Sequence, residues 1–397
     1  VINNRIRYTS NSGFAGVDSF AYTLTAEGKS STATIAITVR SSVSDPQTSN
    51  NAGPSPGGSS DIPDSTGLWN PVQGIDVPAL TPSDTVNVSS GSALSSALSS
   101  ASPGDHIVLA NGNYSGSYSI SANGTQSNPI VIKSANKLQA TIGSTFTING
   151  DWVIPREINA DRENFGEGVR NSRVSRCVID GATTLMTISR GASYCCIDRN
   201  EFVGGEGHVI DIRPRGSDDT FQNCIVWNLF RDGTPGGEAS AAADATVIIS
   251  TASYSTVNRP QNLLFGWNRI QDSTNVAHYQ NKVGGNTSIY NTIKDCTGAY
   301  SFTCRHGTDN YIGGNWINTN ARITIRGRNH TVIGNHLPNS RIEADPGNIP
   351  NGSAGEPTWF TETGTKGWTY AEDAKLIGNE CAIQVDGIDP VPPFNYT

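Results

Sequence analysis

Along most of the chain, apolar residues come in short runs closed by Asn, Gly or Asp, and apolar spacing of the helical kind is scarce. Short β-branched runs with alternating polar positions predict an all-β protein. From about residue 76 onward one phrase recurs: an apolar run, an Asn, then one or two apolar residues. It reads CIDRNEF at Asn200, CIVWNLF at Asn228, LLFGWNRI at Asn268 and SIYNTI at Asn291. It continues as YIGGNWI at Asn315, TVIGNHL at Asn335 and KLIGNEC at Asn379. Successive intervals are 28, 40, 23, 24, 20 and 44 residues; three fall between 20 and 24, and the largest is near twice that. This is a solenoid period. Asn tolerates left-handed backbone geometry and can stack amide on amide from coil to coil. The expected fold is therefore a right-handed parallel β-helix with these Asn residues along one edge. Cys196 and Cys224, each four residues before its Asn, are expected to stack inside on adjacent coils. A β-propeller would need blades of about 40–50 residues.

The remainder of the chain reads differently. Residues 1–41 end in the alternating strand STATIAITV, preceded by SGFAGVDSFAYTLT. This text resembles the C-terminal half of bacterial Ig-like, cadherin-like repeats, and the segment is too short for a whole sandwich. Residues 42–68 are rich in Ser, Pro and Gly and predict a flexible linker. The β-helix domain is assigned to residues 69–397. The chain opens on Val1 rather than Met, which suggests a mature or trimmed form, and the expected location is secreted, bacterial. No apolar run is long enough to span a membrane. A net charge of −8 argues against a nucleic-acid partner, although a cleft can still be locally basic. The seven Cys form no zinc-type pair, and buried thiols are the plainer reading.

The Asn register shows which side chains line up in space. Lys282 lies 9 residues before Asn291, Arg305 lies 10 before Asn315 and Arg326 lies 9 before Asn335. In SFTCR and RITIR the apolar residues alternate with Ser301, Thr303 and Arg305, and with Arg322, Thr324 and Arg326. Stacked like charges need a counter-ion, so an outward column of cations on coils about 4.8 Å apart predicts a polyanion site.

The stretch NKVGGN, SIYNTI, SFTCRHG, NYIGGNWI and ARITIRGRNHTVIGNHL resembles polysaccharide lyase family six, which holds alginate lyases and the dermatan-cleaving chondroitinase B. The Arg-His-Gly at Arg305 and the Arg326 to His330 phrase are its more specific parts. NGTQSNPIVIKS resembles the family's opening coil, so the likeness covers roughly residues 80–340. What the resemblance implies is β-elimination on a uronate, with Lys282 as base, Arg305 as acid or electrostatic stabiliser, and His306 lining the site. Nearby Arg305 and Arg326 would lower the pKa of Lys282 by like-charge repulsion. Arg keeps its proton, so it suits stabilisation better than proton donation. The implied partner is an acidic polysaccharide, alginate first. The family's calcium carboxylates are replaced here by Asn275 and Ala277, so no cofactor is assigned. A calcium, if one binds, would draw on Asn268, Asn275 and Asp244. The substrate carboxylate would otherwise meet Arg322, Arg326 or His278, with His330 beside them and Tyr370 stacking from the aromatic insertion 351–370.

Two other classes compete. A pectinase-type β-helix hydrolase would want paired carboxylates; Asp211 and Asp244 are the candidates, without the expected pairing. A non-catalytic surface protein suits the Ig-like segment but gives no reason for the cation column. Oligomeric state is left open.

Overall fold

The structure is a computed structural model of the full chain. It describes residues 16–26, 29–39, 81–181, 183–212, 223–234, 245–249, 262–304, 309–344, 371–372 and 374–385. Two compact units divide the chain, Val1–Asn50 and Asn51–Thr397. In the first, strands Gly16–Ala26 and Lys29–Val39 pair antiparallel, from Gly16 opposite Val39 to Ala26 opposite Lys29.

The second unit is a right-handed parallel β-helix with three sheets. Strands joined by short corners can only stack in parallel with their equivalents one coil on, and right-handed connection is the norm for such units. Sheet I has 12 strands, running from Asp84–Val88 to Lys375–Ile377. Sheet II starts just after the Asn corner and includes Arg269–Gln271, Thr292–Lys294 and Trp316–Asn318. Sheet III includes Ala245–Ile249, Ala277–Asn281, Tyr300–Cys304 and Arg322–Ile325. The long strands Ala140–Ile148, Asn159–Phe165 and His336–Ala344 run through both sheets II and III. Every second residue points inward, which builds one continuous core including Ile197, Ile225, Phe265, Tyr279 and Phe302. Helix Gly91–Ser100, unforeseen in the sequence, adds Leu94 and Leu98 to that core at its N-terminal end. Its cap is Ser90, whose hydroxyl accepts from the Ala93 N–H at 3.2 Å.

The Asn edge forms a continuous amide ladder. Each Asn Nδ2 donates to the Oδ1 of the next, from Asn200 through Asn228, Asn268, Asn291, Asn315 and Asn335 to Asn379, at 2.9–3.1 Å. The backbone N–H of each Asn donates to that same oxygen.

Three expectations need correction. The left-handed residue at this corner is not the Asn but the one before it: Arg199, Trp227, Trp267, Tyr290, Gly314, Gly334 and Gly378 all have φ between 54° and 63°. The 44-residue interval is one coil, because Asn335 bonds Asn379 directly. Cys196 and Cys224 do pair in register, but on the outer face of sheet I: Ile197 and Ile225 point into the core, while the Cys196 thiol sits on the side of Asp198. All seven cysteines are free thiols.

Candidate active site

Sheet III sets the geometry. Inward Val247, Tyr279, Phe302, Ile323 and Ile342 pair coil to coil, so Ile248, Gln280, Thr303, Thr324 and Glu343 form the outward midline. His278 and Ser301 share that outer face. Gln280 Oε1, Ser301 Oγ, Thr303 Oγ1, Thr324 Oγ1 and both His278 ring nitrogens are buried without a hydrogen-bond partner among the described residues. Each such atom costs about 1–3 kcal/mol when left unmet. A cluster of them on one face marks a surface built for a polar ligand. Burial pushes the His278 imidazole down to about 4, so it is neutral near pH 7 and offers hydrogen bonds rather than charge.

Cations stand at both edges of this floor. At the far edge, Asn281 pairs with Cys304 and Cys304 with Ile325. Lys282 and Arg326 each follow one of these positions, and both are half-buried. At the near edge, the Arg322 guanidinium lies 4.6 Å from the Tyr300 ring centroid and donates to its hydroxyl at 3.2 Å. Arg322 and Arg341 share one carboxylate oxygen of Glu343, at 2.8 and 3.1 Å. Two guanidinium groups on one carboxylate leave a net positive charge.

A buried amide network fixes the corner after Lys282. Asn281 donates to Asn310 Oδ1 at 2.7 Å and accepts from the Val283 N–H at 2.9 Å and from Asn286 at 3.1 Å. The Asn310 N–H donates to His330 Nδ1 at 3.2 Å, and His330 Nε2 donates to the Arg326 carbonyl at 2.7 Å. The chain on either side of Lys282 is thereby tied to the backbone of Arg326.

This architecture is similar to that of several solved lyases. One is a mannuronic-acid-specific polysaccharide lyase of family six from human gut microbiota: 19% identity, TM-score 0.61, covering 77% of this chain and 76% of that one. A second is the family six alginate lyase AlyGC: 19% identity, TM-score 0.56, covering 68% of this chain and 41% of that one. A third is a family six alginate lyase solved with a trisaccharide: 18% identity, TM-score 0.54, covering 77% of this chain and 72% of that one. The chain has the fold of family six polysaccharide lyases. No family model and no curated protein matches its sequence.

Within this lyase fold the predicted residues part company. Lys282 and Arg326 fall at the far edge of sheet III and Arg322 at its near edge, with His278 on the floor between the two edges. His330 is buried support rather than a substrate contact: it is 0% exposed, and both its nitrogens bond backbone. Asn268 is likewise buried support rather than a calcium ligand. Its Oδ1 accepts twice from Asn228, and its Nδ2 donates to Asn291 and to the Ile225 carbonyl, all within the ladder. Asn275 sits at a different corner, its Nδ2 on Thr246 at 3.2 Å and its buried Oδ1 without a partner among the described residues. Among the described residues no group of three His, Cys, Asp or Glu could hold a metal. Asp211, proposed for a hydrolase pair, lies on the outward side of sheet III. Arg305, His306, Asp244, Tyr370 and the rest of the aromatic insertion fall outside the described residues. The residues missed were Tyr300, Gln280, Arg341 and Glu343. For Arg341 a signal was present: SRI at residues 340–342 repeats ARI at 321–323.

Proposed function

We propose that the chain is a polysaccharide lyase that cleaves a uronate-containing acidic glycan by β-elimination, with alginate the first substrate to test. The observation that supports this most is the pair of cationic edges flanking a floor of buried polar atoms with no partner among the described residues, on one sheet of a lyase-type β-helix. Lys282, in its neutral form, takes the proton from C5 of a uronate. The C5–H electrons become the C4–C5 double bond as the C4–O bond breaks. Arg305 steadies the departing oxygen, which takes its proton from solvent. Negative charge builds on the uronate carboxylate as the C5 proton leaves, so a cation must face it. Arg322 and Arg326 serve that purpose, His306 and Tyr370 hold neighbouring sugars, and His278 donates from the floor. A substrate of polymeric size places the reaction outside the cytoplasm.

Calcium fits the described donor set poorly. Such an ion wants about six to eight oxygens, carboxylates among them. Asn268 is committed to the ladder, and Asn275 has hydroxyl neighbours, Thr246 and Ser273. No step of the reaction is therefore assigned to a metal. The test is incubation with a panel of uronate glycans, following ultraviolet absorbance of the C4–C5 unsaturated product, which hydrolysis cannot form. Reducing ends released without that absorbance would rule out elimination.

A further inference from the structure

The chain carries a second set of cations far from the candidate active site along the axis. On the outer face of sheet I, in the first coils, Asn87, Val108, Lys133 and Arg156 lie in register on four successive strands. Together with His106 and Lys137 they line a groove of about 460 Å³. Its floor includes Val108 and the 1% exposed Val131, and its rim is cationic. Arg156 is nine-tenths buried; it reaches Glu157 at 3.0 Å through one nitrogen, while its buried Nε has no hydrogen-bond partner among the described residues. His106 is held below its ordinary pKa by burial and then by the charges of Lys133 and Arg156. The local field is therefore positive on a chain whose net charge is −8. Such a groove selects an anion.

We propose that this groove is a second, non-catalytic binding site for an acidic polysaccharide, with Lys133, Lys137 and Arg156 receiving carboxylates of successive uronates. That the polymer is the enzyme's own substrate rests on the lyase reading; that the groove binds a polyanion does not. Adjacent strands are about 4.8 Å apart, near the length of one sugar residue, so Lys133 and Arg156 match a polymer bearing one carboxylate per sugar. The apolar floor suits the C–H faces of pyranose rings. Strand Val153–Arg156 and strand Thr287–Ile289, on the coil of the candidate active site, are five steps apart in sheet I. That is about 24 Å along the axis. A long chain held at one site would raise its local concentration at the other, whereas a trisaccharide could not bridge them.

The test is affinity electrophoresis of the full chain in gels containing polymannuronate or neutral dextran, at low and high salt, comparing wild type with K133E/K137E. Lys137 is exposed and Lys133 half-buried, so the fold should survive; equal thermal midpoints check this. Arg156→Gln is a second, milder variant. We expect wild type to be retarded by polymannuronate alone, less so at high salt, and K133E/K137E to bind about tenfold more weakly. The double variant should turn over a trisaccharide at the wild-type rate but show a raised KM on the polymer. Unchanged retardation of K133E/K137E would overturn the groove and leave the lyase reading intact. Absence of unsaturated product from every uronate, with retardation still lost in K133E/K137E, would sink the lyase reading and leave the groove standing.

Discussion

A lysine can act as base only after losing its proton, and an arginine never loses its own at ordinary pH. This asymmetry makes the two leading residues separable. Lys282→Ala and Arg305→Ala should each abolish unsaturated product while leaving the thermal midpoint unchanged, and Lys282→Arg should fail as completely as Lys282→Ala. Substantial turnover by Lys282→Arg would show that position 282 supplies charge rather than a base. Arg322 is a different case, because Glu343 already neutralises part of it and Arg341 shares that carboxylate. The same balance bears on calcium. Asn275 and its hydroxyl neighbours offer no carboxylate among the described residues, whereas Arg can bind a carboxylate in two-pronged fashion without a metal. Activity is therefore expected to survive EDTA. Complete loss, restored by added calcium, would contradict this and point first to Asp244 with Asn275.

At the scale of the element, the Asn corner is the unit that repeats. Asn291 donates to Asn315 Oδ1 and to the Phe265 carbonyl, both at 2.9 Å, and accepts from the N–H and Nδ2 of Asn268. Asn291→Ala strands several buried polar groups and should cost about 3 kcal/mol or more, read as a fall in the urea midpoint. A change below about 0.5 kcal/mol would mean the ladder is incidental. This corner was legible in the sequence because the ladder needs the same side chain on every coil. The left-handed residue before it was not, since its identity varies from Trp to Gly. Arg199, Trp227, Trp267 and Tyr290 stack one on another at 5.1–5.7 Å, which offsets their strained φ. Tyr290 ends the stack over Gly314, where an added Cβ would lie 2.6 Å from its ring. Coil length was illegible for a related reason: residues added at a corner leave the strand pairing unchanged. Lys282 and Arg326 could be read by counting back from the Asn register, and Arg326 from period-two alternation as well. Glu343 could not, because the register of its strand shifts between His336 and Arg341 and breaks that phase.

For the whole molecule, stability rests on one unbroken core inside the coils, and a carboxyl buried in that core makes it sensitive to alkali. Glu163 points inward from strand Asn159–Phe165, between Phe146 and Met186 in register, and is 0% exposed. Burial raises its carboxyl to about 8, offset only in part by the Cys177 thiol. The folded state thus keeps a proton that the unfolded chain loses above its ordinary value near 4.5. Stability from this group is fully present below that value and is lost as pH rises toward about 8. Within the window the loss is at most about 1.4 kcal/mol per pH unit. Glu163→Gln has nearly the same shape and no proton to lose, so its urea midpoint should match wild type in mild acid and exceed it increasingly toward about pH 8. Parallel midpoint-against-pH curves for the two proteins would mean that Glu163 ionises in the fold at its ordinary value and that the core reaches solvent there.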